Sequence, residues 1–212
     1  KDQISSASFK KYGKLYQESF DYEFSLDMLR LEYNFNEKFY SELDILLKHV
    51  RRIIISGGEP FLRKDLTDII SEIIDNSGVP RVSIKSNGFY IKRIKEYTPI
   101  LINKYPNTEF TLSISLDGPK DIHDKVRNFK GAYDKVVETV NSMEKYRKEK
   151  NFFLRLASVL TNETKDFLPD LLDHTDEWPI DFHEVILVRD IPDEEQFKLK
   201  DIYSQLSEKQ QK

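Results

Sequence analysis

The segment Ile53–Pro60, IIISGGEP, constrains the fold more than any other part of the chain. Its apolar, β-branched run is typical of a strand that is buried in a parallel sheet. The two glycines that follow let the backbone turn and leave amides open to a close ligand. Two later stretches, VSIKSNG (Val82–Gly88) and FTLSISLDGP (Phe110–Pro119), repeat the design. In a wound β/α fold such turns open on one rim, which predicts a small-molecule site.

Strand and helix patterns alternate along the whole chain. The predicted strands are residues 1–8, Arg52–Ser56, Arg81–Ser86, Glu109–Leu116, Phe152–Leu160 and Glu184–Val188. This alternation predicts an α/β fold with a parallel sheet and right-handed crossovers. Six units are too few for a closed eight-stranded barrel, so an open partial barrel or a doubly wound sheet remains.

The intervening segments carry helix and loop signals. SFKKYGKLYQESFDYEF, which follows the first predicted strand, indicates a loop. The predicted helices are one opened by Asn36, one capped by Asp65, one from Ile91 that breaks before Pro99, a longest one at Gly131–Lys148, a short one at 165–174 and a polar one at Asp193–Glu208.

Composition excludes several classes of function. The net charge of −4 over 212 residues argues against nucleic-acid binding, which needs a basic surplus. The sequence contains no apolar stretch of membrane-spanning length and no signal-peptide pattern, so we expect a cytoplasmic protein without a membrane partner. The absence of cysteine excludes disulfides, thiolate metal sites and a cysteine nucleophile. Four scattered histidines give no metal-binding spacing.

Four motifs in order, ISGGEPFLRKDL, SNG, SISLDGP and IHDKVRNFKGAYDKV, resemble the radical S-adenosylmethionine (radical SAM) superfamily, in particular its peptide- and protein-modifying branch. The resemblance implies a parallel (β/α)6 partial TIM barrel, spanning residues 1–212 as a single domain. It also implies S-adenosylmethionine and a [4Fe–4S] cluster as cofactors. The cysteine-rich C-terminal domain that such proteins often carry is not expected here.

The family's cluster ligands are three cysteines in a C-x3-C-x2-C loop, usually followed by an aromatic residue. Ser8, Tyr12 and Leu15 have that spacing, and Tyr16 supplies the aromatic residue. The resemblance therefore implies a retained loop in which all three ligands are replaced. Iron–sulfur clusters require soft, readily deprotonated thiolates, and leucine offers no donor atom at all. We expect no cluster and no resident metal.

The GGEP turn is the first candidate site. Gly57, Gly58 and Glu59 match the family's motif that grips the amino group of the methionyl moiety. The alternative is a strand-to-helix turn that is kept for its geometry alone. Asn87 lies near the ligand by the same resemblance, although Asn87-Gly88 also indicates an ordinary tight turn.

The strand after the SNG turn supplies the second candidate site. Ser113, Ser115 and Asp117 alternate, so they share one face and are expected to line a polar cavity. In the family this strand contacts the carboxylate or ribose of the ligand. Ordinary hydrogen bonding is the alternative.

Four further charged residues stand out. Lys85 could meet an anion or pair with Glu59, with surface exposure as the alternative. Arg155 lies between two leucines, so it either snorkels or faces the barrel interior beside a carboxylate. His123 and Arg127 match an H-x-x-x-R pattern that, by the resemblance, lies near the substrate entrance. The favoured alternative is a loop ion pair with Asp121 or Asp124.

These observations favour a degenerate, binding-type member of the family whose partner is a peptide, a protein or S-adenosylmethionine. The alternatives are a cluster-free enzyme that uses S-adenosylmethionine for polar chemistry such as methyl transfer, a phosphate- or sugar-binding barrel, and an active radical enzyme. No catalytic residue is assigned.

Overall fold

A computed structural model describes residues 13–16, 21–25, 51–161 and 164–187. The predicted strand at residues 1–8 and two predicted helices, the one that Asn36 opens and the closing one at Asp193–Glu208, lie outside these residues.

Strands and helices alternate through the described residues, which confirms the predicted α/β class. The strands are β1 (Gly13–Tyr16), β2 (Asp21–Ser25), β3 (Arg52–Ser56), β4 (Arg81–Ser86), β5 (Glu109–Ser115), β6 (Phe152–Leu160) and β7 (Phe182–Leu187). The α-helices are α1 (Leu66–Ser77), α2 (Ile91–Lys104), α3 (Lys120–Val126), α4 (Ala132–Met143) and α5 (Leu168–Thr175), and two short 3-10 helices lie at Pro60–Leu62 and Glu144–Tyr146. Within the described residues, no helix combines the length and the apolar character that crossing a bilayer requires.

The strand order in the sheet, β1-β2-β3-β4-β5-β6-β7, follows the chain. β3 pairs in parallel with both β2 and β4, and β6 pairs in parallel with β7. β1 is antiparallel to β2, with Leu15 opposite Tyr22. The prediction of a loop over this part of the chain was therefore wrong. In β2 the aromatic Tyr22 and Phe24 alternate with Asp21 and Glu23, which is a strand pattern that the charge had obscured.

The described chain forms two compact units. The first takes in Lys92–Leu112, Lys148–Phe153 and the described residues up to Ser86. The second takes in Asn87–Ile91, Ser113–Arg147 and the described residues from Leu154 onward. The expectation of a single domain remains a prediction, and each unit is described by itself.

The first unit packs α1 and α2 through aliphatic side chains. The predicted stripe on α1 is confirmed, because Leu66, Ile69, Ile70, Ile73 and Ile74 are all buried. Gly78 ends the helix in the left-handed conformation, with φ of 60°, and its N–H donates to the Ile74 carbonyl at 2.8 Å. Asp65 is the N-cap residue, as predicted, but its carboxylate makes no cap hydrogen bond. Arg63 binds both carboxylate oxygens instead, at 2.9 and 2.6 Å.

Helix α2 runs through Pro99 without a break, contrary to the prediction. Proline removes one intrahelical hydrogen bond and crowds the preceding turn. Packing compensates for that cost, because buried apolar residues lie on both sides of the proline. These residues are Ile91, Ile94 and Tyr97 before it, and Leu101 and Ile102 after it.

In the second unit, α4 begins at Ala132 and ends at Met143, so it is shorter than the predicted Gly131–Lys148. Gly131 has φ of 90° and so lies outside the helix, and Glu144–Tyr146 tighten into a 3-10 turn. Among the described helices α2 is the longest, with 14 residues. The core of this unit contains Ile114, Leu116, Val136, Val140, Leu154, Leu156 and Leu160, all fully buried.

Gly88 provides a test of this packing. Its φ is 78°, and a Cβ there would lie 3.0 Å from Ile114 Cγ2. Gly78 has a similar φ of 60°, but a Cβ there would meet nothing within 4 Å. We expect Gly78→Ala to cost about 1 kcal/mol through the backbone alone. Gly88→Ala should cost about 1–3 kcal/mol more, because it also overpacks the core.

Urea denaturation of the two variants beside the unchanged protein measures the difference. Equal losses of unfolding free energy would contradict the packing described around Gly88.

Candidate functional site

The GGEP turn is held by a buried carboxylate. Gly57 and Gly58 have φ of 89° and 38°, which glycine adopts readily, and Glu59 is 8% exposed. Oε1 of Glu59 accepts a hydrogen bond from the Phe61 amide at 3.1 Å and another from the Ser86 hydroxyl at 2.9 Å. The carboxylate therefore ties the turn after β3 to the end of β4. This arrangement supports the structural interpretation, while the binding of a ligand ammonium remains a prediction.

Asn87 shapes a tight turn in the second unit. Its Oδ1 accepts a hydrogen bond from the Phe89 amide at 2.9 Å, and Gly88 follows in the left-handed region. The Gly88 carbonyl accepts a hydrogen bond from the Thr139 hydroxyl at 2.6 Å. The alternative that the sequence offered, an ordinary Asx-type turn, thus describes the local geometry. Contact between Asn87 and a ligand remains a prediction.

Asp117 lies past the end of β5, in a buried network with His123 and Arg127. Arg127 Nε donates to Asp117 Oδ2 at 2.7 Å, and the Asp117 amide donates to His123 Nδ1 at 3.0 Å. Burial raises the pKa of Asp117, but His123 and Arg127 outweigh it, so the net pKa lies below its usual value. The expected pairing with Asp121 or Asp124 was therefore wrong. Asp117 thus holds this loop, and a polar cavity lined by Ser113, Ser115 and Asp117 remains a prediction.

Arg155 is the centre of a polar cluster on the second unit. Its Nε donates to Ser113 Oγ at 3.1 Å, and its Nη1 lies 2.9 Å from Glu184 Oε2. Its guanidinium carbon lies 5.7 Å from the centre of the Phe182 ring. The Arg155 side chain is 13% exposed and that of Glu184 is 40% exposed. We call Ser113, Arg155, Phe182 and Glu184 the Arg155 cluster.

Strand alternation explains which face carries this cluster. Leu154, Leu156, Ser158 and Leu160 are buried, whereas the residues between them, Arg155 included, are only partly covered. Parallel pairing sets Arg155 against Phe182 and Ala157 against Glu184, so these residues share the less covered face. The sequence left the orientation of Arg155 open. The sequence did suggest a carboxylate partner for Arg155, but it did not identify Glu184. The alternation of side chains along β7, which places Glu184 on the same face as Arg155, could have indicated it.

His183 lies between two hydroxyl groups in the second unit. Its Nε2 is 2.7 Å from Ser158 Oγ, and its Nδ1 is 2.8 Å from Thr175 Oγ1. Ser158 donates its own proton to the Leu116 carbonyl, so it accepts from His183. Ser158 is thus not poised as a nucleophile. Burial lowers the pKa of His183 to about 4, which keeps the ring neutral at physiological pH.

The donor atoms do not fit an iron–sulfur cluster. The chain has no cysteine, and no group of three or more His, Asp or Glu side chains in the described ranges could hold a metal ion. Leu15, at the third position of the predicted ligand loop, lies within β1 and has a hydrocarbon side chain. Ser8 and Tyr12 lie outside the described residues. No chemistry through a cluster is therefore derived for this chain.

Comparison with known families is consistent with this architecture. A model of the Radical SAM superfamily matches residues 35–175. The chain belongs to the radical SAM superfamily. Radical SAM proteins bind S-adenosylmethionine and a [4Fe–4S] cluster. This member belongs to the family, but its sequence lacks the thiolate donors that such a cluster requires. Its placement in the peptide-modifying branch remains a prediction.

Curated relatives match only part of the chain. GTP 3',8-cyclases from Vibrio vulnificus strains YJ016 and CMCP6 are each 41% identical over 54 residues, which is 25% of this chain. The matched segment makes up 16% of each cyclase, so this chain corresponds to a small part of those relatives.

Two solved structures share the fold. The crystal structure of archaeal TYW1 superposes with a TM-score of 0.55 and 16% identity, covering 98% of this chain and 77% of that one. TYW1 with a lysine-pyruvate adduct bound gives 0.52 and 17%, covering 86% and 62%. The predicted parallel α/β partial barrel of the radical SAM type is thus confirmed, and identities this low show the fold alone.

Replacing Glu59 separates its structural role from its charge. Glu59→Ala removes the acceptor of two hydrogen bonds, so we expect a loss of about 1–3 kcal/mol in unfolding free energy. Glu59→Gln keeps an oxygen acceptor and should lose less than about 1 kcal/mol. Glu138→Ala, on the exposed surface of α4, serves as the control in urea denaturation. Equal losses for Ala and Gln would show that the charge itself is required.

The pH dependence of stability tests the environment of His183. Because its pKa falls from 6.5 to about 4 on folding, the unfolded chain takes up the proton first as the pH falls. The contribution of neutral His183 to the unfolding free energy is complete above about pH 6.5. This contribution, at most about 3 kcal/mol, is lost as the pH falls towards 4. His183→Gln should remove this part of the slope, and His174→Gln should leave it unchanged. Denaturation at several pH values measures both, and parallel curves for all three proteins would contradict the burial of His183.

Proposed function

We propose that this domain is a radical SAM-type fold that binds a small molecule through an anionic group of that molecule, without performing radical chemistry. S-adenosylmethionine, through its carboxylate, is the first ligand to test. The Arg155 cluster is the observation that carries this proposal.

The absence of sulfur donors supports the loss of radical chemistry. In the family, the cluster on three cysteines supplies the electron that cleaves S-adenosylmethionine. This chain has serine, tyrosine and leucine at the corresponding positions, Ser8, Tyr12 and Leu15, and no cysteine elsewhere. A leucine cannot coordinate iron, and an unactivated serine would need a costly deprotonation.

The geometry of the Arg155 cluster supports anion binding. A guanidinium matches a carboxylate or a phosphate with two parallel hydrogen bonds, and it stays charged at any physiological pH. Ser113 fixes one edge of the Arg155 guanidinium, so less side-chain entropy is lost when a ligand binds. The Phe182 ring lies near its carbon atom.

A ligand can displace Glu184 from its position beside Arg155. The Glu184 side chain is 40% exposed, so rotation into solvent costs little, and a ligand carboxylate can take its place beside Arg155. Without a ligand, the Glu184 carboxylate balances the charge of the Arg155 guanidinium, whose side chain is 13% exposed. A carboxylate of the protein thus holds the position that the ligand would occupy.

GTP is the second candidate ligand, because the names of two relatives include it. The relatives named GTP 3',8-cyclase are 41% identical to this chain over 54 residues. A triphosphate presents oxygens that suit a guanidinium as well as a carboxylate does. Testing both ligands identifies the chemical class that the cluster prefers.

Calorimetric titration tests the proposal directly. We expect S-adenosylmethionine to bind, and we expect Arg155→Ala to weaken the affinity by roughly 10- to 100-fold, since a hydrogen bond to a charged group contributes about 1.5–3 kcal/mol. Arg81→Ala removes an arginine whose side chain is 53% exposed and should change nothing. S-adenosylhomocysteine shares the carboxylate and should bind too.

Two results would overturn this function. One is the absence of binding heat for S-adenosylmethionine, S-adenosylhomocysteine and GTP. The other is a stable cluster with its paramagnetic signal after anaerobic reconstitution with iron and sulfide, which would mean that other donors replace the cysteines.

A further inference from the structure

An exposed apolar patch lies at the end of α3 and on the loop that follows it. Val126 is 42% exposed and Phe129 is 47% exposed. The Phe129 ring packs against the half-buried Phe89, with ring centres 5.2 Å apart. Lys125 and Lys130 flank these side chains and are exposed. We call these five residues the Phe129 patch. All of them belong to the second unit.

The loop that carries the patch is fixed by hydrogen bonds. The Asp124 carboxylate accepts from the amides of Gly131 and Tyr133 at 2.6 and 2.9 Å. The Phe129 amide donates to the Asp124 carbonyl at 3.0 Å, and the Phe129 carbonyl accepts from Ala132 at 3.1 Å. The backbone that carries Phe129 is therefore held in place before any partner arrives. A preorganised surface of this kind costs little entropy when it binds.

Two exposed lysines adjoin the apolar side chains, although the whole chain carries −4. Asp124 is turned towards backbone amides, and Arg127 is bound to Asp117. Lys125 and Lys130 have no ion-pair partner among the described side chains. A partner that covers the patch would therefore place acidic groups beside these two lysines, with an apolar group on Phe129 and Val126.

The size of the patch limits what can occupy it. A stable dimer usually buries about 1,600 Å² in total, or some 20–30 residues on each side. The Phe129 patch has three apolar side chains, which is enough for one or two anchoring residues of a segment. Larger exposed apolar areas mark extended interfaces, and this one suits a short segment.

We propose that the Phe129 patch docks an acidic peptide segment that carries a large apolar side chain. The apolar side chain packs on Phe129 and Val126, and the flanking carboxylates lie beside Lys125 and Lys130. This docking surface is independent of ligand binding at the Arg155 cluster, so either can fail without the other.

Charge reversal tests the proposal. The probe is a short fluorescein-labelled synthetic peptide with one phenylalanine flanked by aspartate and glutamate, measured by fluorescence anisotropy at low salt. The full chain should bind it. The double substitution Lys125→Glu and Lys130→Glu should weaken binding tenfold or more, on the order expected for two reversed charges near the contact. This variant should instead bind the matching peptide that carries lysine in place of the acidic residues.

Further variants test whether binding requires the apolar contact and whether it depends on where the lysines lie. Phe129→Ser, or serine in place of the peptide's phenylalanine, should also weaken binding. Reversing Lys92 and Lys95, two exposed lysines on α2, should have no effect. Circular dichroism confirms that each variant is folded.

Three results would overturn the proposal. The first is equal binding by the patch variant and the Lys92/Lys95 control, or no binding by the unchanged chain. The second is a dimer in light scattering that Phe129→Ser dissociates, which would make a second copy the occupant. The third is binding to phosphatidylserine vesicles but not to the peptide, which would make the surface a lipid contact.

Discussion

Strand alternation is the constraint on which the rest of this structure depends. A strand in a sheet sends successive side chains to opposite faces, so burying one face fixes the other. In β6 the residues Leu154, Leu156 and Leu160 are fully buried. Arg155 is consequently directed to the less covered face, where it meets Ser113 and Glu184. Shifting the register by one residue would exchange the two faces and bury the guanidinium among aliphatic side chains, without the partners that it has now.

Charged and polar side chains hold the turns that follow the strands. Glu59 joins the GGEP turn to Ser86, and Asp117 holds the loop that carries Arg127. Each carboxylate lies deep enough that an ion without partners would be unstable, and each has the hydrogen bonds that compensate for the lost water. The family's motifs therefore have a structural function in this chain that does not depend on a cofactor. That function gives a physical reason for the motifs to coexist with a sequence that has no cysteine.

Two surfaces of the second unit now have a proposed chemistry. The Arg155 cluster offers a nearly buried cation that an exchangeable carboxylate neutralises, and the Phe129 patch offers fixed apolar groups between two lysines. Both surfaces favour anionic groups of a partner, but the partners that they suit differ in kind. The first suits a small molecule whose charge is concentrated at one end, and the second suits an extended segment that combines acidic and apolar groups.

The sequence by itself determined the α/β alternation, the aliphatic stripe on α1, the glycine at its end and the family, because local periodicity and turn chemistry control these features. It also determined that no thiolate is available. Tertiary structure decided the rest. Packing on both sides of Pro99 kept α2 continuous, and strand pairing turned parts of a predicted loop into β1 and β2. The partners of Arg155 likewise came from other strands, such as Ser113, 42 residues away, since no local pattern specifies which side chains a folded chain brings together.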